Sequence, residues 1–324
     1  MKKWLLLLLA ATQTLRAQVP PEETLPLADP FIYWDGAHYY AYGTCSDDGI
    51  VVLVSDDLEN WYWPLNRCGF LALNRSESYG DRWFWAPEVY RIGDLYYMYY
   101  SSDEHICLAT ATSPLGPFRQ AERRPMRDEK GIDNTLFIDD DGTPYLFWVR
   151  FNEGNEIWSA RLEADLQRFV PGSERFCIRT SQDWERISPA VNEGPFVVRH
   201  NGTYYLTYSG NNFWSPDYAI GCATAPTPEG PWTKDPANPL LCRPGELVGT
   251  GHHAFFTDRD GVQRIVFHAH YDATHLHPRS MHLTVPRFIP AGDGPDRMTI
   301  DPHYTTPRLV TDEAQVPQWV LELR

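Results

Sequence analysis

The sequence predicts an all-β protein, a five-bladed β-propeller in a single domain. Two observations predict it. No long segment keeps apolar residues at helical spacing, while short runs rich in Val, Ile, Tyr, Phe and Trp recur between Gly, Asp, Asn and Pro. Five of these runs also resemble one another, and they are spread over the whole chain.

In order, the runs are DPFIYWDGAHYYAYGT from Asp29, APEVYRIGDLYYMYYS from Ala86, DNTLFIDDDGTPYLFWV from Asp133, EGPFVVRHNGTYYLTYS from Glu193 and HHAFFTDRDGVQRIVFHAH from His252. Each reads as strand, tight turn, strand. Asp-Gly and Asn-Gly favour such turns because they tolerate positive φ. The units start roughly 45 to 60 residues apart, room for about four short strands, which is the length of a propeller blade. A β-sandwich also has many short strands but not this repeated opening. No low-complexity linker interrupts the chain, so one domain is expected from about residue 24 to 324, with its early residues closing the ring against the last blade.

The N-terminus, MKKWLLLLLAATQTLRAQVPPEE, joins two lysines, an apolar run and the small Ala17 before Gln18. These are the parts of a secretory signal peptide over residues 1–17. The apolar run is too short for a permanent membrane span, and no cysteine follows the expected cleavage point for a lipid anchor. A secreted, periplasmic or extracellular protein is expected. The formal charge of −15, or −18 without that segment, and the absence of a basic tract exclude a nucleic-acid partner. The six cysteines are too sparse for a disulfide scaffold, and no C-x-x-C suggests structural zinc. With 12 Trp, 18 Tyr and 15 Phe, most rings belong in a β-rich core, although sugar stacking also uses aromatic faces.

Acids open several of the runs. Asp133 and Glu193 each lie nine residues before a turn glycine, His252 also nine, Asp29 seven and Glu88 five. All offsets are odd, which puts these side chains on one strand face, absent a bulge. In a propeller the inner strand of each blade starts near the central channel, so Asp29, Asp133 and Glu193 can meet around one axis. Convergent carboxylates repel, and burial raises the pKa of at least one. Glycosidic cleavage needs such a split pair, one protonated and one ionised.

LADPFI, WAPEVYRIGDLYYMYYS, IDNTLFIDDDGTPYLFW, NEGPFVVRHNGTYYLTYS and GTGHHAFF, in this order and spacing, resemble glycoside hydrolase family 43. These are five-bladed propeller enzymes that trim arabinose- and xylose-containing plant polysaccharides. The resemblance implies Asp29 as general base, Glu193 as general acid and Asp133 as the carboxylate that positions the acid and tunes its pKa. It also implies inversion at the anomeric carbon, with acid and base about 6.5 to 9.5 Å apart to admit a water. One departure is Asn134, where many members have proline.

The resemblance further places His252 near a hydrated metal in the channel, often calcium. Calcium prefers oxygen ligands, so contact through water or a bond to backbone competes with direct ligation. Parity turns His253 away. Trp85 is expected to stack on sugar or else to pack between blades. Arg279, in HPRSMHL, is expected to reach the sugar or else to lie on the surface. Trp214 is a candidate rim aromatic. Glu88 has two readings, a sugar hydroxyl contact or a partner for an arginine. Asp139, Asp140 and Asp141 read as turn residues leading into Gly142.

The leading expectation is an exo-acting α-L-arabinofuranosidase or β-xylosidase that needs no cofactor for its chemistry. An endo-arabinanase or a galactose-directed member is the alternative within the class. A non-catalytic glycan-binding propeller is the alternative outside it, but it would have lost an acid, and all three are present. Neither the Asp-box repeats of sialidases nor the W-x-N-D-P-N-G opening of fructan-cleaving propellers occurs.

Overall fold

The computed structural model describes residues 23–323 except Ser188 and Asp293. The expected signal peptide, residues 1–17, lies outside the described residues.

Blade one contains β1 (Ala28–Trp34), β2 (Tyr39–Thr44) and β3 (Gly49–Ser55); after the short β4 (Asn60–Trp61) it is completed by β5 (Leu71–Asn74). Blade two is β6 (Trp85–Ile92), β7 (Leu95–Ser102) and β8 (His105–Ala111). Blade three is β9 (Gly131–Ile138), β10 (Pro144–Phe151), β11 (Asn155–Arg161) and β12 (Arg175–Ile178). Blade four is β13 (Asn192–His200), β14 (Thr203–Gly210), β15 (Ala219–Ala225) and β16 (Thr233–Lys234). Blade five is β17 (Gly251–Thr257), β18 (Gln263–Ala269) and β19 (Ser280–Thr284). A hairpin of β20 (Pro286–Ile289) and β21 (Arg297–Ile300) follows, then β22 (Arg308–Leu309) and the short helix α1 (Gln318–Glu322).

The inner strands touch in a closed ring, β1 on β6, β6 on β9, β9 on β13, β13 on β17 and β17 on β1. The chain ends hold the ring shut. The Leu25 carbonyl accepts from Met281 N of blade five at 3.0 Å, and β22 pairs in parallel with β4 beside blade one.

Both faces of a middle strand are covered by neighbouring blades. Alternation of polar and apolar residues therefore fails, and β3 is buried from end to end. Most tyrosines of the second strands are core residues, and many of their hydroxyls find partners within the fold. Tyr99 donates to Leu166 O at 2.7 Å and Tyr208 to Glu185 Oε1 at 2.6 Å.

Every inner strand carries the same β-bulge. One extra residue falls between Ala28 and Phe31, Trp85 and Glu88, Ile132 and Thr135, Glu193 and Phe196, and Gly251 and Ala254. The first residue inside each bulge has positive φ: Asp29 at 48°, Ala86 at 47°, Asp133 at 56°, Gly194 at 53° and His252 at 44°. Four of the five are not glycine, so left-handed strain is stored at the channel mouth in four blades. The bulge corrects the parity reading. Asp29, Asp133 and His252 occupy one equivalent position, Glu193 precedes it and Glu88 follows it.

Candidate active site

The bulges bring Asp29, Asp133 and Glu193 to one end of the channel, where all three are at most 7% exposed. Each is held differently. Asp29 Oδ1 accepts from Arg279 Nη1 at 2.9 Å and lies 3.2 Å from His268 Nδ1 and 3.3 Å from His252 Nδ1. Burial pushes its pKa up, but Arg279, then His252 and His268, outweigh burial and hold it well below the usual carboxylate range.

Among the described residues Glu193 forms no ion pair, and Arg279 acts on it only weakly from further away. Its Oε1 accepts from the Tyr218 hydroxyl at 3.0 Å and its Oε2 from Asn155 Nδ2 at 3.1 Å. Burial dominates and raises its pKa to about 7, helped by the charge of Asp29 and opposed by the Tyr218 and Asn155 bonds. Asp133 is raised to about 7 by burial and by Glu193 and Asp29, against the charge of His252 and the Gly194 N–H. That N–H donates to Asp133 Oδ2 at 3.1 Å, so the peptide following Glu193 is tied to Asp133. One acid is therefore kept ionised while two beside it retain protons near neutrality, the division that acid–base catalysis of bond cleavage uses.

A cleft of about 520 Å³ opens beside these acids, lined by Trp85 and Arg279 together with Thr44, Asp47 and His277. Trp85 and Arg279 thus share one cleft. Trp85 is backed by Trp83, their rings stacked at 5.4 Å and 20°. Trp83 is in turn covered by the Arg82 guanidinium at 3.9 Å, which Asp103 holds at 2.9 Å. Arg279 lies 5.1 Å over the Phe213 ring. Trp214 is 58% exposed and stays outside this group, with its ring against Phe213.

Glu88 lies deeper in the channel and pairs with no arginine; its carboxylate accepts from the Tyr90 hydroxyl. Burial raises its pKa to about 8. Glu88, Asp133, Asn134, His252 and His253 line a channel cavity of about 10 Å³, room for roughly one water. The Asn134 amide and His253 Nδ1 have no protein partner there. Among the described residues no three His, Cys, Asp or Glu side chains converge as a cation cage. Asp29 lines the same cavity, whose space suits roughly one water; a calcium there would need waters for most of its six to eight oxygens. No step below runs through a metal.

Sequence reasoning missed Tyr218, Asn155, His268 and Phe213. Tyr218 and His268 stack at 5.7 Å and 13°, so the residue bonded to Glu193 packs on the residue bonded to Asp29. The one available signal was Gly251 in GTGHH: a Cβ there would overlap the Tyr218 ring.

Comparison with known proteins agrees with this fold. A crystal structure of an endo-1,4-β-xylanase from Bacteroides thetaiotaomicron is 43% identical, with a TM-score of 0.82, covering 89% of this chain and 98% of that one. A thermostable family-43 glycoside hydrolase is 34% identical, with a TM-score of 0.77, covering 87% and 95%. An extracellular exo-α-(1→5)-L-arabinofuranosidase of Streptomyces chartreusis is 26% identical over 273 residues, 75% of this chain and 79% of the relative. The model of the family "Glycosyl hydrolases family 43" matches residues 24–288, and the chain, a five-bladed propeller with its acids gathered at one channel mouth, belongs to that family of glycoside hydrolases.

Proposed function

We propose that the protein removes terminal α-L-arabinofuranosyl or β-D-xylosyl residues from plant cell-wall glycans by a single displacement with water. Asp29 is the general base. It takes a proton from water as the water oxygen bonds to the anomeric carbon. Glu193 is the general acid and gives its proton to the glycosidic oxygen as the carbon–oxygen bond breaks. Solvent then resets both groups. Asp133 positions the acid through the Gly194 peptide, while burial and the charge of Asp29 keep the acid's proton affinity high. Arg279 and Trp85 face the sugar from the cleft.

The observation that carries these roles is the contrast between Asp29, held ionised chiefly by Arg279, and Glu193, held protonated by burial. The pentose reading draws on relatives named as exo-arabinofuranosidases and a β-xylosidase. Internal cleavage of xylan is the second reading, favoured by the name of the 43%-identical structure. Secretion draws on the N-terminal sequence and on relatives named extracellular; no helix among the described residues is long and apolar enough to cross a membrane.

Two assays test this. In a panel of nitrophenyl arabinofuranosides, xylosides and galactosides, a pentoside is expected to turn over fastest. Glu193→Gln is expected to lose turnover of natural glycosides by about 10²- to 10⁴-fold while hydrolysing a dinitrophenyl glycoside, whose leaving group needs no proton. Normal turnover of a natural glycoside by this variant contradicts the acid role.

A further inference from the structure

The repeated bulge leaves one backbone N–H per blade pointing at the preceding blade, and four of the five are taken in the same way. Ala86 N donates to Thr44 Oγ1 at 3.0 Å, Asp133 N to Ser101 Oγ at 3.0 Å, His252 N to Ser209 Oγ at 2.8 Å and Asp29 N to His268 Nδ1 at 3.1 Å. The four acceptors are equivalent. Each is the cross-strand partner of the residue just before its own blade's bulge: Thr44 of Ala28, Ser101 of Trp85, Ser209 of Glu193 and His268 of Gly251. Each N–H therefore latches one blade to the blade before it.

Blade three breaks the pattern. The cross-strand partner of Ile132 is Val149, fully buried and with no acceptor. The N–H it would have latched is that of Gly194. A buried N–H needs a partner, and this one takes Asp133 Oδ2.

We propose that Val149 is a positioning residue: by lacking an acceptor at the fifth latch position, it directs the Gly194 N–H onto the Asp133 carboxylate and so couples Asp133 to the peptide that carries Glu193. A hydroxyl at 149 would restore the latch used by the other blades and release Asp133. This use in catalysis rests on the proposed roles of Asp133 and Glu193.

The test uses the full-length protein with ¹⁵N-labelled glycine. The charged and titratable groups facing Asp133 are Glu193 from β13, Asp29 from β1, His252 from β17 and Glu88 from β6, so the titration is read at the Gly194 amide itself. In the wild type this amide is expected to shift through a midpoint near neutrality as Asp133 titrates. In Val149→Thr, nearly isosteric, the part of this shift that Asp133→Asn removes is expected to vanish, leaving only the response to the neighbouring Glu193, while turnover of a natural glycoside falls about tenfold, the worth of one lost hydrogen bond. Val149→Ile adds bulk without an acceptor and is expected to keep the Gly194 titration. A Gly194 titration unchanged in Val149→Thr, or reduced equally by Val149→Ile, overturns the proposal. Asp133→Asn is measured alongside. If it keeps wild-type turnover, the role of Asp133 in the reaction falls, while the Gly194 signal still decides whether Val149 directs the bond.

Discussion

Arg279 Nη1 donates to Asp29 Oδ1 across 2.9 Å, joining residues 250 positions apart and tying blade five to blade one. Without this cation the burial of Asp29 would push its pKa up rather than leave it depressed. Arg279→Met is therefore expected to move the acidic limb of the kcat/KM profile upward by about 1 to 3 pH units, so the loss of activity is larger at pH 5 than at pH 7. An acidic limb that stays in place contradicts the assignment of Arg279 as the group that keeps Asp29 ionised.

Thermal stability should depend on pH with a definite sign. Asp133, Glu193 and Glu88 have folded pKa values raised to about 7, 7 and 8. They hold protons in the folded state that the unfolded chain has released, so their contribution is full below about pH 4 and is lost progressively as pH rises from there to 7 to 8. His253, His268 and His282 are lowered to about 3 by burial. They stay neutral in the fold while the unfolded chain takes up protons below about 6.5, so they destabilise the fold as pH falls. From about pH 4.5 to 6.5 the two sets oppose each other, so the melting temperature is expected to change little there and to fall from about pH 6.5 toward 8, and Glu88→Gln is expected to reduce that fall. Calorimetry across pH 4 to 8.5 checks this, and a melt that climbs steadily to pH 8 contradicts it.

The start of β13 is braced from behind. Lys234 and Glu185 form an ion pair with side chains 8% and 0% exposed, and Lys234 Nζ also donates to Asn192 Oδ1 at 2.8 Å. Asn192 immediately precedes Glu193. Removing one partner of a buried pair leaves the other uncompensated, so Lys234→Met should cost about 3 kcal/mol of stability. Urea denaturation measures it; a loss under about 0.5 kcal/mol would place the pair among the surface type.

The two tryptophans should separate. Trp85 lines the cleft on a braced stack, and Trp214 is mostly exposed. Trp85→Ala is expected to raise KM about tenfold, near the worth of one aromatic contact, with a smaller effect on kcat. Trp214→Ala is expected to stay within about twofold on small glycosides. Equal effects of the two changes on KM would contradict this division.

The repeat and the three acids were legible because each rests on local chemistry, an Asp-Gly or Asn-Gly turn and an acid at the head of a run. What was illegible is what depends on register. The odd-offset argument put Glu88 and Glu193 on the same footing as Asp29, but turns of different length and a shared bulge shift them to three distinct positions. Tyr218 and Asn155 were missed because one reaches Glu193 from a loop of the same blade and the other from the edge of a strand in blade three, and no spacing in the sequence encodes either. The tyrosine-rich strands could not be told from sugar platforms until most of their rings were found in the core.

The central claim is that an ionised Asp29 and a protonated Glu193 act together on one sugar, with water as the attacking group. Proton NMR of the first product formed from a pentoside, recorded before mutarotation, tests it most directly. The account predicts that the first sugar signal is the anomer opposite in configuration to the substrate. First appearance of the retained anomer would mean a covalent intermediate and would contradict it.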